Sequence, residues 1–170
     1  GGDVKRTLET TYRAQHRGGK GKIGQKMTKD GDIVPYLQVA NTHDTLLFFT
    51  DKGRVFKLRV FELPADQSRT SRGTPVSNII NLAPNEKVTA MLTVTSLLED
   101  TYLIMITKAG KVKRMHLPLV RNINRAGLNT FKLSTDDELI SVSLADENED
   151  VTIITRDGMS IRFHSSQVRH

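Results

Sequence analysis

One short phrase recurs along this chain at nearly regular intervals. Its copies run from Thr50 to Lys57, from Thr107 to Arg114 and from Thr155 to Arg162, each with the form Thr-x-x-Gly-x-x-x-Lys/Arg. The opening Gly2–Arg6 matches the second half of a fourth copy, so the glycines lie 51, 57 and 48 residues apart. Such a period is typical of repeat proteins, in which each unit leaves apolar surface that a neighbour covers. The chain is therefore predicted to be an array of similar units.

Each unit is predicted to consist of β-strands. An alternating strand, such as Val88–Val94 or Ile140–Leu144, leads through a polar turn to an apolar run, such as Tyr102–Ile106. The glycine then supplies the positive φ of a tight hairpin, and the returning strand carries the repeated cation. A longer loop leads to a fourth strand such as Val76–Ile80, and the earliest alternating strand is predicted at Pro35–Val39.

Four strands in about 50 residues predict a propeller-like blade, so the fold class is all-β. The expected units cover residues 1–52, 53–109 and 110–157, and residues 158–170 start a further one. Because the chain starts inside a repeat and without methionine, we expect an excised fragment of a longer protein.

The charge of the chain is arranged in blocks. Residues 1–29 carry eight Lys/Arg against two acids, residues 108–125 carry six against none, and residues 134–150 carry seven acids and no base. A solvated surface with scattered charge is the simple alternative. Segregation at a fixed repeat phase instead favours a basic stripe that faces a polyanion.

The cations also fall into two columns at fixed distances from the glycine. A core position would not need a charge, so we expect the first column to occupy the same outer site in every unit. The first column, four residues after the glycine, is Arg6, Lys57, Arg114 and Arg162. The second column, eleven residues after the glycine, is Arg13, Arg121 and Arg169, with Pro64 as the exception.

The most unusual stretch is Gln15–Gly21, in the loop after the first returning strand. Its glycines let the backbone approach a ligand, and Arg17 and Lys20 suit a phosphate backbone better than base edges. A nucleotide-binding P-loop would need Ser or Thr after Lys20 and glycine at position 14, where alanine stands. A purely structural glycine turn is the remaining alternative.

No pattern in the chain predicts catalysis or a metal site. The five histidines have no ligand spacing, and there is no cysteine. The acidic runs 136–138 and 146–150 lack the spacing of a calcium loop and are interpreted as solvated turns. No apolar run approaches 18 residues, so no membrane span is predicted. With aromatic residues at 5% and no Trp, base stacking is not expected.

The stretch Tyr12–Gly21 resembles the gyrase A box of the C-terminal domain of DNA gyrase A. The family pattern is Gln-Arg-Arg-Gly-Gly-Arg/Lys-Gly, so His16 replaces an arginine and adds a pH-dependent charge to the loop. The repeated hairpins and residues 41–58 resemble the same domain, so the resemblance covers essentially the whole chain. The related topoisomerase IV protein has similar blades but lacks an intact box.

This resemblance implies a β-pinwheel, a six-bladed propeller-like disc in which a strand from each blade pairs with the neighbouring blade. The chain would supply about three four-stranded blades. Duplex DNA would wrap around a basic rim with positive handedness, which permits ATP-dependent negative supercoiling by the holoenzyme. ATP, Mg²⁺ and the catalytic tyrosine belong to other parts of that enzyme, so no cofactor and no catalytic residue is expected here.

The resemblance also implies the partners: duplex DNA, the remainder of gyrase A, gyrase B and no membrane, in the bacterial cytoplasm at the nucleoid. From the open edges of half a disc we further expect a homodimer of this chain. The alternatives are a topoisomerase IV-like DNA-binding domain, a propeller-type scaffold for proteins and, opposed by the absence of a convergent site, a catalytic domain.

The residues expected to contact DNA form two groups. The box is Gln15, His16, Arg17, Gly18, Gly19, Lys20 and Gly21. The rim is Lys5, Arg6, Arg13, Lys57, Arg59, Arg72, Lys113, Arg114, Arg121, Arg125 and Arg162.

Overall fold

The computed structural model describes residues 2–8, 37–65, 73–154 and 158–169, and these are built from β-strands and short 3₁₀ turns. The strands are β1 (Asp3–Val4), β2 (Thr45–Thr50), β3 (Arg54–Arg59), β4 (Thr74–Pro75), β5 (Val88–Val94), β6 (Tyr102–Thr107), β7 (Val112–His116), β8 (Leu128–Asn129), β9 (Leu139–Ala145), β10 (Asp150–Ile154) and β11 (Ser160–His164). The 3₁₀ turns are Val60–Glu62, Val76–Asn78, Leu117–Val120 and Ser165–Gln167. The all-β prediction is confirmed. No helix within the described ranges is long and apolar enough to cross a membrane.

Three antiparallel hairpins form the repeated element: β2–β3, β6–β7 and β10–β11. Their registers are the same, because the residue four after each glycine always faces the residue six before it. These pairs are Lys57–Leu47, Arg114–Ile104 and Arg162–Thr152. Gly53, Gly110 and Gly158 have φ values of 77°, 80° and 81°, as predicted for tight hairpin turns. The repeated phrase therefore encodes one repeated hairpin.

The threonine that opens the phrase ties each described turn together. The hydroxyl of Thr50 accepts the N–H of Arg54 at 3.2 Å, and the hydroxyl of Thr107 accepts the N–H of Lys111 at 3.2 Å. The hydroxyl thus satisfies a backbone donor that the turn leaves without a ladder partner. This explains why threonine and glycine recur together.

Strands are exchanged between neighbouring units. The largest sheet has the order β5-β2-β3-β8, the next has the order β7-β6-β9, and β1 pairs with β4. Strand β8 follows the second hairpin in the chain but pairs with β3 of the first hairpin. Similarly, β5 leads in sequence to β6 but pairs in space with β2, and β9 pairs with β6. Each unit is therefore attached to the one before it by backbone hydrogen bonds.

Two predicted strands are wrong. In place of a strand at Val76–Ile80, β4 covers only two residues, and the amide of Ile80 then donates back to the carbonyl of Val76 at 3.0 Å. Of the strand predicted at Pro35–Val39, residues 37–39 are described, and they lie outside any strand. They are exposed, and the side chain of Gln38 bonds to β5: it donates to the carbonyl of Met91 at 3.0 Å and accepts the hydroxyl of Thr93.

Strand β2 is buried on both faces, as its apolar sequence predicts. Leu47 and Phe49 face a core that includes Leu103 and Met105 of the second hairpin. The alternate residues of β2 face a second core, which is formed by Leu46, Phe48, Phe56, Val60, Leu63, Val76 and Ile80. Thus β2 lies between the two cores and contributes side chains to both.

The two contacts between successive hairpins are filled differently. Between the first and second hairpins, the amides of Thr130 and Phe131 donate to the carbonyl of Gly53 at 2.8 and 3.3 Å. Between the second and third hairpins the described residues leave a partly open cavity of about 480 Å³, lined mainly by Ile106, Val112, Ile153, Ile161, Phe163 and Val168. Gly110 lines this cavity at the position that Gly53 holds in the filled contact.

The two glycines provide a matched stability test. A Cβ on Gly53 would lie 2.4 Å from the carbonyl oxygen of Phe131, whereas a Cβ on Gly110 would meet nothing within 4 Å. Gly110→Ala should cost about 1 kcal/mol, because only the positive φ is strained. Gly53→Ala should cost about 3 kcal/mol, because the segment after β8 must also move. Urea unfolding measures both, and equal losses would contradict this account.

Candidate nucleic-acid interface

The structure describes only part of the predicted interface. The box residues Gln15–Gly21, together with Arg13 and Arg72, lie outside the described residues. The described rim cations are Lys5, Arg6, Lys57, Arg59, Lys113, Arg114, Arg121, Arg125 and Arg162.

The expectation that the first column occupies an outer site in every unit is wrong for Arg114. This residue is only 5% exposed, and its guanidinium lies 4.4 Å from the ring centroid of Tyr102. It shares a face of the second hairpin with Ile104, because the two residues are paired in the register. A guanidinium can be buried in this way when an aromatic face and polar groups replace its water.

Two other cations of the first column, Arg6 and Lys57, contact backbone carbonyls of the following unit. The Nε of Arg6 donates to the carbonyl of Leu63 at 3.3 Å, and the Nζ of Lys57 donates to the carbonyl of Arg121. At the next contact, the backbone amide of Arg114 donates to the carbonyl of Arg169 at 3.2 Å. Arg6, Lys57 and Arg114 of the first column therefore lie at contacts between units, beside the second column.

Three more predicted rim cations also have partners inside the chain. Arg59 donates from Nη1 to the carbonyl of His43 at 2.8 Å. The Nζ of Lys113 donates to the carbonyl of Thr130 at 2.7 Å, and Arg162 pairs with Asp150 across its own hairpin. Lys5 is half-buried and also interacts within the chain.

Arg121 and Arg125 are different, because both are exposed. Their side chains make no hydrogen bond or ion pair within the described ranges. Both belong to residues 121–127, which we call the outer loop because it leads into β8, the edge strand of the largest sheet. The opposite edge of that sheet is β5. The guanidinium groups of the outer loop are therefore available to an external anion.

Six exposed cations among the described residues were not predicted site residues: Lys52, Lys87, Lys108, Lys111, Lys132 and Arg169. Lys132 follows β8, and Arg169 belongs to the second column. Arg169 could have been included on its repeat phase alone. Nothing in the local sequence marks Lys132, because its position near the edge of the sheet follows from the strand exchange.

A buried carboxylate holds the first hairpin and the outer loop together. Oε1 of Glu86 accepts the hydroxyl of Thr50 at 2.7 Å and the Nε of Arg54 at 2.9 Å. Nη1 of Arg54 reaches the carbonyl of Ala126 in the outer loop at 2.9 Å. Burial raises the pKa of Glu86, but hydrogen bonds from Arg54, Thr50 and the Ala83 amide outweigh it and lower the pKa to about 2.

The second hairpin repeats this arrangement with weaker charge pairing. Asp137 accepts the amide of Ala109 at 2.9 Å, and its other oxygen lies 3.9 Å from Nζ of Lys111. Burial raises the pKa of Asp137, but the hydrogen bonds from Ala109, Thr107 and Glu138 and the charge of Lys111 together lower it. The threonine of the phrase therefore meets a carboxylate in both units.

An array of antiparallel hairpins that exchange strands with their neighbours defines a propeller-like protein of the β-pinwheel type. The model of one family, described as the DNA gyrase C-terminal domain, beta-propeller, matches residues 2–35, 44–95, 101–146 and 149–169. The chain belongs to this family.

Curated relatives carry the same family name. The chain is 39% identical over 168 residues to the DNA gyrase A protein of Clostridium acetobutylicum and 44% identical over 167 residues to that of Staphylococcus epidermidis. These alignments cover 99% and 98% of this chain but only 20% and 18% of the relatives. The chain therefore spans about a fifth of the length of these relatives.

Two solved structures are similar to this fold. A crystal structure of the C-terminal domain of DNA topoisomerase IV matches 99% of this chain and 52% of its own, at a TM-score of 0.78 and 27% identity. A DNA gyrase A C-terminal domain matches 95% of this chain and 50% of its own, at a TM-score of 0.73 and 27% identity.

The Glu86 cluster predicts how stability depends on pH. The pKa of Glu86 is lowered in the folded chain from 4.5 to about 2, so the stabilisation is complete above pH 4.5 and is lost as the pH falls toward 2. Glu86→Gln should reduce the free energy of unfolding at pH 7 by about 2–3 kcal/mol, below the usual cost because Arg54 keeps some solvent contact. Urea unfolding at pH 7, 4 and 2.5 measures this, with Glu99→Gln, an exposed carboxylate, as the control. If Glu86→Gln loses stability in acid as steeply as the unaltered chain, the acid sensitivity does not come from Glu86.

Proposed function

We propose that this chain binds duplex DNA along its outer edge and, as the C-terminal part of DNA gyrase A, wraps the duplex in support of ATP-dependent negative supercoiling. The observation that carries the proposal is the pair of exposed guanidinium groups on the outer loop, those of Arg121 and Arg125, which have no partner within the described ranges. Exposed arginines without internal partners are the groups that neutralise phosphates and release counterions. Family membership supports the same proposal, because the relatives are gyrase proteins.

Wrapping DNA requires positive charges at suitable spacing rather than a catalytic site. Bending duplex DNA costs about 1–6 kcal/mol over 20–30 base pairs, so contacts must be spread along a curved surface to offset it. Similar units that are attached in series provide such spacing, and the second column places Arg121 and Arg169 at the same phase of two of them. The exposed acidic turn at residues 146–150 would repel DNA from its own edge.

The proposed partners beyond DNA are the remainder of gyrase A, gyrase B and a second copy of this chain. The box Gln15–Gly21 is proposed to decide whether the wrap closes, while the rim supplies general affinity. ATP and Mg²⁺ are proposed to act only in other parts of the enzyme.

A topoisomerase IV-like role is the second candidate, because the C-terminal domain of DNA topoisomerase IV matches this fold at a TM-score of 0.78. In that role DNA binding would not depend on the box. Dependence of wrapping on Arg17 and Lys20 therefore separates the two candidates.

The outer loop can be tested through the salt dependence of binding. Arg121→Gln combined with Arg125→Gln should weaken duplex binding and lower the slope of log K against log salt by about 1.8, or 0.9 for each phosphate that is no longer neutralised. Fluorescence anisotropy with a labelled duplex across a salt series measures the slope. Lys87→Gln is the control, because this exposed lysine precedes β5 at the opposite edge of the sheet. Equal slopes for the double variant and the unaltered chain would remove the outer loop from the interface.

Wrapping requires a topological measurement. A nicked circle is ligated in the presence of the chain at low and physiological salt, and the linking number is measured on a gel. We expect a positive shift, and we expect Arg17→Ala with Lys20→Ala to abolish the shift while salt-dependent binding remains. A shift that survives in the box variant would favour the topoisomerase IV-like role. Absence of binding at either salt concentration would favour a protein-interaction scaffold.

A further inference from the structure

Two cations of strand β3 hold the two ends of the outer loop. At the first end, the Nζ of Lys57 donates to the carbonyl of Arg121. At the second end, Nη1 of Arg54 donates to the carbonyl of Ala126 at 2.9 Å. Both contacts cross from the first hairpin to the loop that follows the second hairpin, so they are contacts between units.

The second contact is itself fixed in place. Besides its bonds to Glu86, Arg54 donates from Nη2 to the carbonyl of Asn81 at 3.0 Å, and its guanidinium lies 4.8 Å from the ring centroid of Phe56. The same ring closes the end of the loop, since a Cβ on Gly127 would lie 2.9 Å from it. Gly127 also has a φ of 79°, which an L side chain adopts only with strain.

We propose that Arg54 and Lys57 are positioning residues for DNA binding: they hold the outer loop by its carbonyls so that Arg121 and Arg125 face the duplex. The inference rests on the proposed function and changes the role of Lys57, which the sequence assigned to the rim itself. Inward-facing cations contact the protein, and outward-facing cations contact phosphate. A loop that is ordered before binding avoids the entropic cost of ordering it on the DNA, so holding its ends raises affinity.

The same device is present one unit earlier. Arg6 stands four residues after Gly2, as Lys57 stands four after Gly53, and its Nε donates to the carbonyl of Leu63. That carbonyl lies beside Pro64, at the second-column phase of its unit. A cation that contacts the backbone of the next unit thus occurs at two successive contacts.

The decisive experiment is a double-mutant cycle on duplex affinity with the 170-residue chain. Lys57→Gln and Gly127→Ala are each measured in the unaltered chain and in the Arg121→Gln, Arg125→Gln background. A positioning role predicts about a threefold or larger loss in the unaltered chain and little further loss in the double-variant background. Gly127→Ala is the charge-neutral member of the cycle, so its effect cannot come from removing a cation. Equal losses from Lys57→Gln in both backgrounds would show direct phosphate contact and overturn the proposal.

A second readout does not depend on DNA. Two amides of the loop are bonded within it: Ala126 donates to the side chain of Asn124 at 2.9 Å, and Gly127 donates to the carbonyl of Asn124 at 3.1 Å. Lys57→Gln should speed hydrogen exchange at these amides while the amides of β6 keep their protection. Unchanged exchange would overturn the proposal by itself. Failure of the unaltered chain to bind DNA would instead overturn the proposed function, and the exchange rates would still decide whether Lys57 holds the loop.

Discussion

The structure depends on one crossing, in which the segment after β8 passes over Gly53, the turn glycine of the first hairpin. The carbonyl of Gly53 accepts two backbone amides and the hydroxyl of Thr130, and the absence of a Cβ lets the carbonyl of Phe131 approach. This crossing seats Phe131 in the core between the first two hairpins and directly follows the end of β8. Because the outer loop leads directly into the two-residue strand β8, the contacts that join the units also anchor the C-terminal end of this loop.

The contacts between units also determine which cations are buried. A charged side chain at a contact between units loses water, and it is tolerated there only where a carbonyl, a carboxylate or an aromatic face replaces that water. Lys57 meets a carbonyl, Arg54 meets Glu86, and Arg114 lies over Tyr102. Cations on the loops have no such requirement and remain exposed. At a contact between units, the packed neighbours and not the charge therefore decide whether a basic residue faces the protein.

Local features of this fold could be predicted from the sequence. The glycine turns, the apolar run of β2 and strand β5 depend on positive φ, on period and on strand length, which neighbouring residues determine. The pairing of β5 with β2 and of β8 with β3 joins residues far apart in the chain, and no local pattern encodes it. The error at Arg114 has the same origin: a repeated phase showed that the position mattered, but only the packed neighbours show which way the side chain faces.

The repeat phase was more informative for Arg121, whose exposure follows from its position beyond a 3₁₀ turn. Two cations at the same phase of neighbouring units can belong to one curved binding surface only if the units cannot slide or tilt freely. The exchanged strands and the inward cations supply that rigidity, since each unit is bonded to the backbone of the next. A variant that loosens the packing between units would therefore shift the exposed cations relative to one another even where no cation is removed. For a duplex that resists bending, this relative placement decides whether the chain only holds DNA or also curves it.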